Sequence, residues 1–215
     1  KGYSSMIDAK SLHEKLRRIR TGNPFCEFTK EKCESFLPTI RRIEELKRQQ
    51  NAIILAHNYV GPEILYGVAD YTGDSYGLAK AALKSKAAVI VFAAVDFMTE
   101  TAKILNPEKT VLNPNSNGGC SLAESITPER VRQLREEYPD YTFVCYINTT
   151  AGVKAYCDVC VTSSNVYTIV ERIENDKIYF LPDRLMGENL IKHLKGKSVE
   201  KEIKVYDGTC YVHEE

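Results

Sequence analysis

The stretch Ala52-Ile53-Ile54-Leu55-Ala56 decides the fold, because this short apolar run ends abruptly at the polar residues His57-Asn58-Tyr59. An apolar run of this length is typical of a buried strand in a parallel sheet. Similar runs recur along the chain. They predict further strands at 89–92, 110–112, 143–147 and 178–181.

Segments with helical character separate these strands. We predict helices at 8–20, 99–105 and 188–195, and two more that begin at Pro38-Thr39 and at Thr127-Pro128. Strands that alternate with helices imply parallel sheets covered by helices, which is the α/β class.

An internal repeat is visible when the chain is shifted by 88 positions. Identical residues then coincide together with the predicted elements, and the pairs are Asp70 and Asp158, Ser75 and Ser163, Phe92 and Phe180, Met98 and Met186, and Glu100 and Glu188. With a small further shift, Gly118-Gly119-Cys120 matches Gly208-Thr209-Cys210. The sequence therefore predicts two similar α/β units, each ending in a glycine-containing loop with one cysteine.

The composition excludes several classes of protein. The 215 residues carry 29 Lys+Arg and 29 Asp+Glu, so a net charge of zero argues against nucleic-acid or membrane-surface binding driven by bulk charge. No apolar run reaches about 18 residues, the length of a membrane span, and no signal peptide is visible. Seven widely spaced cysteines do not resemble a disulfide framework. We therefore expect a cytoplasmic protein in a reducing compartment.

Polar side chains follow the first strand of each predicted unit. In open α/β sheets, ligands bind beyond the carboxyl ends of the strands, so His57 and Tyr59 could move protons there. In the second unit, strand alternation predicts that Tyr146 and Asn148, on either side of Ile147, share one face. The alternative is that these side chains only satisfy neighbouring backbone groups.

Two hydroxyl-rich segments are predicted to begin helices. Ser75 lies in the first segment, and Ser163 lies in the second at the equivalent repeat position. Helix N-termini present free N–H groups that suit phosphate or carboxylate. Ordinary helix capping explains either serine alone, but their paired occurrence favours anion binding.

The cysteines divide into two groups. Cys120 and Cys210, at equivalent positions, suggest convergence on a metal centre, although two thiolates do not complete a structural zinc site or a four-cysteine cluster. The CxxC pair Cys157 and Cys160 lacks a second CxxC, so we interpret both as buried thiols at a helix-to-strand edge. Cys145 lies in the middle of a strand and is predicted to be core.

Taken together, these residues resemble the quinolinate synthase family from about residue 52 to the end of the chain. The matching segments are Leu55-Ala56-His57-Asn58-Tyr59, Pro62-Glu63, Val68-Ala69-Asp70, Gly73-Asp74-Ser75, Asp96-Phe97-Met98, Glu100-Thr101-Ala102-Lys103-Ile104-Leu105-Asn106-Pro107, Gly119-Cys120-Ser121-Leu122-Ala123, Tyr146-Ile147-Asn148, Thr162-Ser163-Ser164-Asn165, Leu181-Pro182-Asp183 and Cys210-Tyr211-Val212-His213.

The resemblance implies three-layer αβα sandwich domains with parallel sheets in a pseudo-threefold arrangement, of which two of three units are expected here. The corresponding domains are a helical extension at 1–37, a first domain at 38–122, a second at 123–210 and the start of a third at 211–215. The resemblance also implies a [4Fe-4S] cluster held by one cysteine per domain. Two of these ligands fall on Cys120 and Cys210, and the third is expected in the missing domain.

The implied reaction condenses iminosuccinate with dihydroxyacetone phosphate to quinolinate, with loss of phosphate and water, in NAD biosynthesis. It implies His57 and Tyr59 as catalytic residues. The implied substrate-binding residues are His57, Ser75, Tyr146, Ile147, Asn148, Ser163 and His213. A functional link to an aspartate-oxidising enzyme is also expected. Two alternatives stay open: a non-catalytic metal- or anion-binding module on the same scaffold, and a zinc protein that uses Cys157 and Cys160.

Overall fold

Two parallel four-stranded sheets form the framework of the computed structural model, which describes residues 7–19, 27–115 and 117–209. The described residues fall into two units, one within Lys1–Ala94 and Ala102–Ser116 and the other within Val95–Thr101 and Asn117–Glu215. The predicted α/β class with parallel sheets is confirmed. The predicted domain boundaries and the pseudo-threefold arrangement stay predictions.

The first unit is built on a sheet of order β2-β1-β3-β4, in which every pairing is parallel. Its strands are β1 (Ala52–His57), β2 (Tyr71–Gly73), β3 (Val89–Ala93) and β4 (Thr110–Leu112). Its helices are α1 (Ala9–Leu16), α2 (Lys30–Gln49), α3 (Pro62–Gly67) and α4 (Ser75–Lys84), and α5 (Asp96–Leu105) contributes residues to both units.

The second unit repeats this topology with the order β6-β5-β7-β8, again entirely parallel. Its strands are β5 (Thr142–Tyr146), β6 (Val159–Val161), β7 (Lys177–Leu181) and β8 (Glu202–Val205). Its helices are α6 (Pro128–Glu137), α7 (Ala151–Lys154), α8 (Val166–Arg172) and α9 (Arg184–Gly196). The short outer strands β2, β6 and β8 were not among the strands predicted from the sequence.

Both faces of the second sheet are covered, as a three-layer sandwich requires. On β5, Phe143 and Cys145 pack on one face against residues of α6 and α7, whereas Val144 packs on the other against α8 and α9. On β7, Tyr179 and Phe180 divide between the same two faces. Strand alternation therefore builds one apolar core on each side of the sheet.

Equivalent polar contacts in the two sheets establish the repeat at the level of single atoms. The Asp70 carboxylate accepts a hydrogen bond from the N–H of Ile54 at 2.7 Å, and the Asp158 carboxylate accepts one from the N–H of Phe143 at 2.8 Å. Both aspartates precede an outer strand and tie it to the central strand. Each also pairs with a cation of a preceding helix: Lys47 with Asp70 at 2.9 Å and Arg135 with Asp158 at 2.9 Å.

The prediction that a helix begins at Pro38-Thr39 is wrong, because α2 begins at Lys30 and Pro38 lies inside it. The helix continues because its inner face, with Cys33 and Ile40 buried, packs into the core of the first unit. Proline removes one backbone donor, but Pro38 and the Glu34 carbonyl that loses its partner lie on the exposed side, where water can hydrate that carbonyl.

The other predicted helices exist with shifted ends. The helix predicted at 99–105 begins at Asp96, and that predicted at 188–195 begins at Arg184. The Thr127 cap and the Pro128 start are confirmed, with the Thr127 hydroxyl accepting from the N–H of Arg130. No helix among the described ranges has the length and apolarity needed to cross a bilayer.

Candidate functional site

His57 is the last residue of β1 and lies beside Gly73 at the carboxyl edge of the first sheet. Its imidazole ring lies 4.1 Å from the ring of Tyr59, centroid to centroid. The backbone N–H of Tyr59 is 3.4 Å from Nδ1 and donates to it. In the neutral ring the proton therefore sits on Nε2, which makes Nε2–H a hydrogen-bond donor.

The charge state of His57 follows from its surroundings. Burial lowers the pKa of His57 below its usual value, and the nearby Asp74 carboxylate opposes this effect by raising it. The ring is therefore neutral at neutral pH. Tyr59, in contrast, is 53% exposed, so a phenol that molecules in solution can reach lies next to a partly sheltered imidazole.

Ser75 is the first residue of α4, as predicted, but Asp74 is the residue that caps the helix. The Asp74 carboxylate accepts from the N–H of Gly77 at 2.7 Å. A fixed negative charge therefore already occupies part of the positive helix end. Sequence analysis missed this role of Asp74, although an aspartate directly before a helix is a recognised capping signal.

Tyr146, Ile147 and Asn148 lie at the equivalent edge of the second sheet, and all three are half-buried. Strand alternation does not extend to Asn148, because β5 ends at Tyr146 and Asn148 lies in a bend, so a shared face for these two side chains stays a prediction. The N–H of Ile147 donates to the Val161 carbonyl at 2.8 Å, which ends the parallel ladder there.

Ser163 is exposed and does not begin a helix, which corrects the second predicted helix start. α8 begins at Val166, because Asn165 closes the preceding turn by accepting from the N–H of Thr162 at 2.7 Å. Asn and Asp form such turns readily and thereby compete with the helix. Ser163 therefore lies in the turn that leads into α8.

Cys120 is a free, half-buried thiol in the loop after Gly119. Its N–H donates to the carboxylate of Glu124 at 3.2 Å. Sequence analysis missed Glu124, whose only signal was its place four residues after the cysteine. Cys210 and His213 lie outside the described residues.

Equivalent backbone hydrogen bonds nevertheless precede both cysteine loops. The N–H of Asp96, which begins α5, donates to the Gly118 carbonyl at 2.8 Å. The N–H of Arg184, which begins α9, donates to the Gly208 carbonyl at 3.0 Å. Each glycine stands two residues before its cysteine, Cys120 in one copy and Cys210 in the other. The repeat of the cysteine loops is thus present in hydrogen bonding as well as in sequence.

Three other thiols come together in the second unit. Cys145 and Cys160 are register partners on β5 and β6, and Cys157 hydrogen-bonds with Cys145. That hydrogen bond is the chief cause that raises the pKa of Cys145 to about 12, and the bond with Cys145 likewise raises the pKa of Cys160. The thiols of Cys145 and Cys160 therefore stay protonated at neutral pH.

The structure agrees with the predicted burial for some of these thiols and contradicts it for one. Cys145 is buried as predicted, and Cys157 is half-buried, but Cys160 is exposed, so the prediction of a buried Cys160 is wrong. β6 is an outer strand with a neighbour on one side only, which leaves Cys160 partly uncovered. Within the described parts of the chain, no three His, Cys, Asp or Glu side chains are grouped so that they could hold a metal ion. Nothing in those parts favours zinc at Cys157 and Cys160.

Comparison with known proteins gives a consistent result. The family model described as "Quinolinate synthetase A protein" (NadA) matches residues 41–215. The chain is 44% identical to quinolinate synthase of Agrobacterium fabrum over 211 residues, covering 98% of this chain and 57% of that protein. It is 46% identical to the Xylella fastidiosa enzyme, covering 97% of this chain and 63% of the relative. It is 48% identical to the Aquifex aeolicus enzyme, covering 87% of this chain and 56% of the relative. The chain thus spans less than two thirds of the length of these relatives.

Proposed function

The chain belongs to the quinolinate synthase family, and we propose that the protein containing it condenses iminosuccinate with dihydroxyacetone phosphate to quinolinate in NAD biosynthesis. The observation that carries the proposal is that the same backbone hydrogen bond precedes both cysteine loops. The N–H of Asp96 donates to the Gly118 carbonyl, and the N–H of Arg184 donates to the Gly208 carbonyl. A cluster bound by equivalent domains requires one cysteine loop from each domain, and the repeat supplies such a loop in each copy.

The donor set fits an iron–sulfur cluster as far as these units supply it. Cys120 is free and half-buried in a loop that contains glycine, and thiolates are the ligands such clusters take. Cys210 is the second ligand, and the third is expected from a further unit that the longer relatives have room for. A [4Fe-4S] cluster with three protein ligands supplies an open iron site that polarises bound oxygen atoms as a Lewis acid.

His57 and Tyr59 are the groups of the first unit that hold and move protons. The neutral His57 ring offers its Nε2–H to a substrate oxygen as a hydrogen bond that stabilises negative charge developing there. The Tyr59 phenol, 4.1 Å away between ring centroids, is placed to act on the same group or to pass a proton to it. These roles serve the enolisation, imine formation and dehydration that the condensation requires.

The remaining residues orient the anionic substrates. Tyr146 and Asn148 present a phenol and an amide at the edge of the second sheet, and each suits a carboxylate or hydroxyl group. The N–H of Ile147 already has a partner, so a substrate contact there comes from the side chain. The hydroxyls of Ser75 and Ser163 suit phosphate or carboxylate. His213 is assigned by its family position alone.

Iminosuccinate is an imine that water hydrolyses, so it must be made close to where it is used. A functional link to an enzyme that oxidises aspartate is therefore part of the proposal. The condensation partner carries a phosphate, and both substrates are small anions, which agrees with a binding site made of a few local donors rather than of bulk charge.

Anaerobic iron and sulfide analysis, with visible absorbance, tests the proposal on the natural protein that contains this sequence. Iron and sulfide in cluster stoichiometry are expected, with both lost in Cys120→Ser and in Cys210→Ser. Cys160→Ser is the matched control, because it removes an exposed thiol outside the proposed ligand set. A protein that binds no iron after anaerobic reconstitution, or retains it in Cys120→Ser, would overturn the proposal.

A further inference from the structure

The loop that follows β5 is held by a cation from the one-turn helix after it. Nζ of Lys154, the last residue of α7, donates to the Ile147 carbonyl at 2.9 Å and also to the Thr149 carbonyl. These two carbonyls flank Asn148 on both sides. Lys154 therefore clamps the backbone of a residue to which the proposed function assigns substrate binding.

A carboxylate holds the opposite end of the same helix. Oε2 of Glu100 accepts from the N–H of Ala151, the first residue of α7, at 2.7 Å. An anion at a helix N-terminus is favourable, because the N–H groups there carry partial positive charge. Glu100 and Lys154 thus hold the two ends of one helical turn, and both belong to the second unit.

The loop also has internal contacts that pass this constraint to Tyr146. Thr149 is fully buried, its hydroxyl donates to the Tyr146 carbonyl at 3.0 Å, and its N–H donates to the Ile147 carbonyl at 2.8 Å. The Ile147 carbonyl therefore receives both the Thr149 N–H and the Lys154 ammonium. A change at Lys154 reaches Tyr146 and Asn148 through shared hydrogen-bond acceptors.

Burying the Lys154 ammonium removes part of its hydration, which is unfavourable. Burial is the largest influence on Lys154 and lowers its pKa, while the Glu100 carboxylate opposes this by raising it. The ammonium also lies 5.6 Å from the centroid of the Phe97 ring, a cation–π contact. A partly buried charge supported in this way has a specific purpose more often than an exposed one.

The αβα unit does not itself require this arrangement. In the first unit the position 88 residues before Lys154 is Tyr66, which is 45% exposed. The position 88 residues after Glu100 is Glu188, which instead forms a half-buried pair with Arg184 of its own helix. The first unit builds the same sheet order without a buried cation in its equivalent loop.

We infer that Lys154 and Glu100 are positioning residues, which hold the loop after β5 so that Tyr146 and Asn148 meet the substrate. The inference rests on the proposed function and adds two residues to it. Neither residue needs to touch the substrate, because each acts through loop backbone that it binds directly.

Steady-state kinetics of Lys154→Met and Glu100→Ala in the natural protein containing this chain test the inference. Losing a hydrogen bond to a charged group corresponds to roughly a tenfold effect or more. We therefore expect KM for one or both substrates to rise at least about tenfold, with kcat changing much less. Lys154→Arg, which keeps the charge, should recover part of the loss. Lys192→Met, at an exposed lysine of α9, should behave as wild type.

The pH profile separates positioning from a purely structural role. Lys154 is charged below its lowered pKa, so kcat/KM should fall as pH rises through that pKa. In Lys154→Arg this alkaline limb should move to higher pH, because the guanidinium keeps its proton. A structural role alone would reduce the amount of folded enzyme, and thus kcat, without moving KM or the limb.

Amide hydrogen exchange gives a readout that does not depend on turnover. Exchange at Thr149 and Ala151, whose N–H groups are hydrogen-bonded in this loop, should accelerate in both variants while the strands of the second sheet stay protected. If the wild-type protein makes no quinolinate, the proposed function fails. Independently of activity, unchanged amide exchange in both variants would show that Lys154 and Glu100 do not hold the loop. If the wild type is active but both variants keep its KM, the positioning inference alone fails.

Discussion

Replacing Gly208 by alanine should destabilise the second unit at the loop that leads to Cys210. Gly208 is buried, and a Cβ atom built on it would lie 2.3 Å from the Pro182 carbonyl oxygen and 2.7 Å from Oγ of Ser125. An ordinary carbon–oxygen contact is about 3.3 to 3.6 Å. The backbone between β7 and α9 would therefore have to move by about 1 Å.

The magnitude follows from two opposing effects. Overpacking of this kind costs about 1–3 kcal/mol, whereas the lower chain entropy of alanine in the unfolded state returns about 0.4–1 kcal/mol. The expected net loss of unfolding free energy is about 1–2 kcal/mol. With a urea m value of about 2–3 kcal/mol per molar, the midpoint measured by circular dichroism should fall by roughly 0.5 M.

Gly119→Ala is the matched control at the other cysteine loop. Its Cβ would lie 2.2 Å from Oε1 of Glu124, but this atom ends an exposed, flexible side chain that can swing away. Thr209, the repeat equivalent, already carries a side chain. The change should stay within about 0.5 kcal/mol. Adding Ser125→Ala to Gly208→Ala should not restore stability, because the closest clash is with backbone. Equal urea midpoints for Gly208→Ala and the wild type would refute this reasoning.

Three further perturbations test other parts of the structure. Asp74→Asn should lower the pKa of His57 further, because it removes the charge that opposes burial, and an NMR titration of the imidazole would show an unchanged midpoint if Asp74 has no influence. Glu202→Gln should bring the pKa of Tyr141 down from about 12 towards 10, measured by ultraviolet titration of the phenol, because the hydrogen bond with Glu202 is its chief cause. Asp158→Ala should cost about 1.5–3 kcal/mol in urea unfolding, the value of a hydrogen bond to a charged group, and a loss below about 0.5 kcal/mol would show that this contact does not hold the sheet.

The sequence predicts those parts of the fold that depend on local pattern. Short apolar runs located the central strands β1, β3, β5 and β7 to within a residue or two, because strands buried on both faces show little alternation. The 88-residue shift located the repeat, and the shared roles of Asp70 and Asp158 explain why these two residues coincide in it. In each copy the aspartate carboxylate holds the backbone of the central strand.

The sequence fails where a tertiary contact outweighs a local signal. Pro38 is a helix-start signal, yet the packing of Cys33 and Ile40 carries α2 through it. The hydroxyl run at Ser163 suggests a helix start, but the Asn165 side chain closes a turn there and delays the helix. Strand alternation at Asn148 does not apply, because β5 ends at Tyr146.

The two units show how one framework supports two kinds of chemistry. After β1, burial holds the His57 ring neutral and ready to donate from Nε2. After β5, the loop is held by the Lys154 ammonium, and the residues it carries are an uncharged phenol and an amide. The sheet order and the aspartate contacts are the same in both units, whereas the loops after β1 and β5 carry different side chains. Substitutions at Asp70 and Asp158 should therefore have similar effects on stability, whereas substitutions at His57 and Lys154 should affect different steps of the proposed reaction.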